Sequence, residues 1–155
     1  MKKLFLFYTF ILMISCGQKS KETVNIRASA QRSDELEENP LLMNPITSSI
    51  QPNDSTMSTL YGNEIAFDYA KHHSDSNYPE GTILYEVTWK QKPDELWFGA
   101  NIPKEIFCVE KISFRGNDYV YQKFEGNPLK KNSVARADRD LRQSFILSQK
   151  MAVSP

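Results

Sequence analysis

The sequence predicts an α+β domain: a curved antiparallel β-sheet with one helix packed on it. Three observations lead there. Segments that read as strands outnumber those that read as helices. Aromatic residues make up 12% of the chain, a level that favours a core rich in strands. One amphipathic segment lies between two strand-like ones, so the helix has a sheet to pack on.

Ser58-Thr59-Leu60-Tyr61 reads as a short strand that Gly62 ends. Asn63 is placed to cap the following helix, with Glu64 in its first turn. Over residues 64–73, Ile65, Ala66, Tyr69, Ala70 and His73 share one helical face, and Glu64, Asp68 and Lys71 fall opposite. Residues 82–91 carry the strongest strand pattern, in which Ile83, Tyr85, Val87 and Trp89 alternate with Leu84, Glu86, Thr88 and Lys90. Residues 106–115 and 119–125 read as a hairpin about Gly116-Asn117-Asp118. In its first arm Ile106, Cys108, Ile112 and Phe114 point one way, and Phe107 and Val109 the other. The expected core is Leu60, Ile65, Tyr69, Tyr85, Val87, Trp89, Trp97, Phe98, Ile112 and Phe114. Residues 40–55, with three prolines, read as an irregular arm packed on the domain. Residues 128–142 read as a polar surface excursion, and 144–151 as a last strand.

The chain opens with Lys2 and Lys3 and an apolar run over residues 4–14, too short to span a bilayer. Met13-Ile14-Ser15-Cys16 resembles the lipobox of bacterial lipoproteins. That resemblance implies cleavage after Ser15 and a diacylglyceryl group on Cys16. Residues 1–15 are then a signal peptide, 16–39 a flexible polar tether, and 40–155 the domain. Two acyl chains hold a protein stably at a membrane. The expected location is the cell envelope, lipid-anchored and facing the periplasm.

Composition excludes several classes. Lys and Arg balance Asp and Glu at 19 each, and removing Lys2 and Lys3 leaves acids slightly in excess. No basic stripe is available for nucleic acid. Cys16 and Cys108 are the only cysteines, so C-x-x-C sites and C-x-x-C-H haem attachment are ruled out. No G-x-S-x-G elbow or phosphate-binding glycine loop occurs. His72 and His73 are adjacent, about 100° apart on a helix, and cannot readily share a metal. Capping of the last helical turn is the expected role for both. Glu86 is an acid–base candidate by type, and its place on a strand reads as solvent-facing.

Four stretches together carry a further resemblance: Thr56-Met57-Ser58-Thr59-Leu60-Tyr61-Gly62-Asn63-Glu64-Ile65-Ala66, Tyr78-Pro79-Glu80-Gly81-Thr82-Ile83-Leu84, Val87-Thr88-Trp89-Lys90 and Trp97-Phe98-Gly99-Ala100-Asn101-Ile102-Pro103. They are similar to the domain of the cytochrome P-460 family, in which a Y-[AG]-N step enters a helix and a Y-P-x-G loop enters a strand. The similarity covers about residues 40–125. It implies a β-rich, often dimeric fold that carries c-type haem with a lysine cross-linked to the porphyrin. The best-known members oxidise hydroxylamine, and relatives bind small gases. This chain departs from the pattern where the chemistry lies, because no Cys or His follows Cys108. Lys71 and Lys90 fall in the similar region without a feature that singles either out. The expectation is a lipoprotein whose domain lacks covalent haem and binds a small ligand or a partner, with no catalytic residue and no metal assigned. The alternatives are a non-covalent haem protein, with His73 as axial ligand and Tyr61 as a contact, and a redox enzyme related to the hydroxylamine-oxidising cytochromes.

Overall fold

The computed structural model describes residues 25–116 and 118–152. The signal segment, Cys16 and Asn117 of the hairpin turn lie outside the described residues. Six antiparallel strands form one open sheet in sequence order: β1 (Asn44–Gln51), β2 (Thr56–Gly62), β3 (Ile83–Pro93), β4 (Asn101–Arg115), β5 (Asp118–Glu125) and β6 (Lys130–Asn132). Helix α1 (Glu64–His72) interrupts the meander between β2 and β3, and α2 (Arg136–Ser148) follows β6. The class is α+β as expected, with two α-helices among the described residues rather than one.

The two faces of the sheet bury different clusters. On one, Tyr85, Val87 and Trp89 of β3 meet Ile106 and Val109 of β4 and Phe124 of β5. The N-terminal residues 25–43 cover this arm face. On the other, Leu60, Leu84 and Ile112 pack under Ala66 and Ala70 of α1 and Ile146 of α2. This is the helix face. Strands β3 and β4 are thus buried on both sides, which is why their apolar residues do not simply alternate with polar ones. A bulge corrects one expected orientation. Thr88 pairs with Cys108 but Trp89 pairs with Ile106, so Phe107 is the extra residue and Ile106 faces away from Cys108.

Helix α1 forms as its sequence predicts. Asn63 Oδ1 accepts the Ala66 N–H at 3.1 Å, and the Asn63 Nδ2 group donates to the Gly81 carbonyl at 2.8 Å. Gly62 lets the helix approach the sheet. A Cβ there would lie 2.6 Å from Ala66 Cβ and 2.8 Å from Ile46 Cδ1.

Four expectations are corrected. Residues 44–51 are an edge strand paired with β2, bulged between Pro45 and Thr47, and an edge position tolerates a proline that has no N–H to donate. Residues 136–148 are helical, whereas the Phe145-Ile146-Leu147 run reads as a strand; only Gln143 and Ile146 of this helix are buried. The stretch read as a flexible tether lies on the arm face from Asn25 onward. There the Trp89 Nε1–H donates to the Ala28 carbonyl at 2.9 Å, and Lys111 Nζ sits 2.6 Å from Glu37 Oε2. Finally, Ile65, Trp97 and Phe98 are exposed and Tyr69 and Phe114 only half-buried, while Leu60, Tyr85, Val87, Trp89 and Ile112 form the core as expected.

A polar groove on the helix face

Helix α1 covers one end of the helix face, and α2 crosses its middle. Beyond them the face turns polar. Strand register lines up the residues that share it. One row runs Ser49, Ser58, Thr88, Cys108 and Glu125 across β1 to β5. The row on its α1 side runs Leu60, Glu86, Glu110 and Lys123. The row on its other side begins with Gln51, Thr56 and Lys90. Arg142 and Phe145 of α2 and the Asp54-Ser55 turn wall the part of these rows that holds Ser58, Thr88, Cys108 and Glu110 into a groove of about 650 Å³. That volume is in the range of small-molecule sites.

The floor is held by its own hydrogen bonds. The Ser49 and Ser58 hydroxyls are 2.8 Å apart, and the Thr56 hydroxyl donates to Gln51 Oε1 at 3.2 Å. Glu110 is 1% exposed, yet its carboxylate is well satisfied. Arg142 Nε lies 3.0 and 3.1 Å from its two oxygens, Arg142 Nη2 donates to Oε2 at 2.5 Å, and the Tyr121 hydroxyl donates to Oε1 at 2.5 Å. This fork is the strong bidentate arrangement that a buried carboxylate requires.

Glu86, directly across from Glu110, contrasts with it. It is fully buried, against the expectation of a solvent-facing residue. Gln149 Nε2 donates to its Oε2 at 3.0 Å, while Oε1 has no hydrogen-bond partner among the described residues. Burial raises its pKa above the ordinary carboxyl value, and the Glu110 charge adds to the rise. Glu86 does not line the groove, so it is not placed to exchange protons with a ligand there. Burial likewise pushes the Cys108 thiol up to about 12, which keeps it neutral and a poor nucleophile or metal ligand. The chemistry of these groups suits binding better than catalysis.

The two residues singled out for haem contact do not meet. Tyr61 is opposite Tyr85 in the β2–β3 register, on the arm face. His73 follows α1, which packs on the helix face. Its ring is exposed and stacks on Tyr69 with centroids 4.2 Å apart, and its Nδ1 is 3.1 Å from the Tyr69 carbonyl oxygen. His72 Nδ1 is 2.9 Å from the Asp68 carbonyl in the same way, so both histidines serve the last turn of the helix. The two residues belong to opposite faces of the sheet, and neither lines the groove. The groove itself was not foreseen. Its signal in the sequence is a polar set, Thr88, Cys108 and Glu110, inside strands rich in large apolar residues.

No protein-family model matches the chain, and comparison with curated proteins finds no match.

Proposed function

We propose that this chain is a membrane-tethered, periplasm-facing binding module of cytochrome P-460 type without covalent haem, and that it seats a small ligand in the groove beside α2. One observation carries this reading: a groove of ligand size whose floor is polar and whose buried Glu110 is already neutralised by Arg142. A site of that kind needs no charge from its ligand to balance the carboxylate. Lys90, Lys104 and Lys123 stand at the rim with Asp54 and Glu125, and the Phe107 and Phe145 rings line the walls. This lining suits a ligand with an apolar body and an anionic group. The haem alternative draws no support from the donor set, since the groove is lined by no His or Met and its one thiol is neutral.

The dye 8-anilinonaphthalene-1-sulfonate has an apolar body and one anionic group. It should bind with about one dye per chain and brighten, and Thr88→Trp, which fills the floor, should abolish that signal. Dye fluorescence equally strong in Thr88→Trp would refute the groove as the seat. A Soret band formed with haemin and lost on blocking the groove would establish the haem alternative instead.

A further inference from the structure

The turn between β3 and β4 presents Leu96, Trp97 and Phe98 side by side, 86% exposed, 71% exposed and wholly exposed. The turn is a built structure. The Asp94 N–H donates to the Ala100 carbonyl at 2.9 Å and the Ala100 N–H to the Trp97 carbonyl at 3.0 Å. Asp94 Oδ1 accepts the Leu96 N–H at 2.8 Å, and Gly99 takes a φ of +83°. These three bonds fix the turn while the Leu96, Trp97 and Phe98 side chains stay exposed. Burying them against the domain's own core is not what this turn does.

The N-terminal arm approaches the same end of the molecule. Followed backward, it passes Tyr85 at Glu38, then Trp89 at Ala28, and reaches Pro103 and Lys104 at Asn25. Asn25 Nδ2 donates to both of those carbonyls, at 2.9 and 2.7 Å, just where β4 leaves the turn. Nine peptide links, through eight intervening residues, separate Cys16 from Asn25, a reach of at most about 32 Å. A lipid on Cys16 therefore keeps this end of the domain close to the bilayer. Exposed Trp and Phe side chains on a turn held by its own hydrogen bonds suit the membrane–water interface. Lys92 and Lys104 beside the turn suit anionic headgroups.

We infer that the Leu96-Trp97-Phe98 turn inserts into the interface of the bilayer that holds the Cys16 lipid, and so fixes the orientation of the domain on it. The inference rests on the lipoprotein reading of Cys16. The partner is a lipid surface, reached by a second contact some distance from the anchor. With two contacts the domain no longer swings on its leader, and the β3–β4 end faces the membrane.

The full chain, purified from the envelope in detergent, is reconstituted into phosphatidylethanolamine–phosphatidylglycerol vesicles containing lipids brominated along the acyl chain. Trp97 fluorescence should be quenched, by about half or more, and shielded from aqueous acrylamide. Trp89 is buried, so the Trp97→Phe variant isolates its background and should lose the quenched component. Leu96→Ser/Phe98→Ser should keep the parent's melting temperature, because both side chains are exposed, and reduce quenching severalfold. Trp97 emission insensitive to brominated lipid and fully open to acrylamide would overturn the inference. So would concentration-dependent dimerisation abolished by Trp97→Ser without lipid quenching, which would assign the turn to a second copy. The mass of the N-terminal peptide separates the two readings. An acylated Cys16 without quenching sinks the insertion alone, and an unacylated Cys16 sinks the anchor whatever the turn does.

Discussion

Glu86 and Glu110 occupy facing positions on adjacent strands in different surroundings. Glu110 has a guanidinium fork and a tyrosine hydroxyl, while Glu86 has one amide donor and a bare oxygen. The folded chain holds Glu86 at a raised pKa, so between the ordinary carboxyl value and that raised one the native state binds more protons than the unfolded state. Stability contributed by Glu86 is therefore full below the ordinary value and is lost as pH rises through the raised one. Glu86→Gln removes that loss. It should stabilise the protein at pH 7–8 by on the order of 1–2 kcal/mol, and the gain should shrink toward pH 4. Denaturant melts at the two pH values measure it, and an equal difference at both would sink the assignment. Neither residue's surroundings are legible in the sequence. Glu86 alternates with Tyr85 and Val87 and so reads as solvent-facing, yet both faces of β3 are covered. Lys111 is likewise covered by chain from far away in the sequence. It lies buried on the arm face against Glu37 and Glu38, 5.2 Å from the Tyr85 ring centre, and both acids come from a segment that reads as a loose leader.

Helix α1 and the strands beside it were readable because their determinants are local. The Asn63 cap, the Ala66 and Ala70 spacing and the alternation from Tyr85 to Trp89 lie within a few residues of the structure they specify. Gly62 is legible as a strand end but not as a packing requirement. Its space is defined by Ile46 of β1, an element that its prolines disguise. Gly62→Ala should lift α1 from the sheet and cost about 1–3 kcal/mol, the usual penalty of overpacking. A thermal melt unchanged in Gly62→Ala would mean that α1 is not seated as described. Helix α2 hides for the opposite reason. Its hydrophobic face is essentially Ile146, and its hold on the sheet is polar, through Arg142 to Glu110 and Gln149 to Glu86. A helix fastened by polar contacts leaves little apolar periodicity to read.

At the scale of the whole molecule, the sheet is wrapped by chain from both ends, residues 25–43 on one face and α2 on the other. No helix among the described residues is long and apolar enough to cross a membrane, so attachment in the proposed reading rests on Cys16. Cys16→Ser should move the protein out of the washed membrane fraction or leave it as an uncleaved precursor. Normal cleavage at Ser15 with unchanged membrane retention would refute the anchor. The sequence by itself determined the α+β class, helix α1, strand β3 and the β4–β5 hairpin, because periodicity, caps and turns act between near neighbours. Only the tertiary structure decided which polar residues are buried, where the groove opens and that residues 25–43 pack on the sheet. Glu86 is enclosed by Gln149, 63 positions away, and Leu129 is held by Asp34, 95 positions away. Burial depends on what arrives from far along the chain, and a local pattern of residue types does not encode what will cover it.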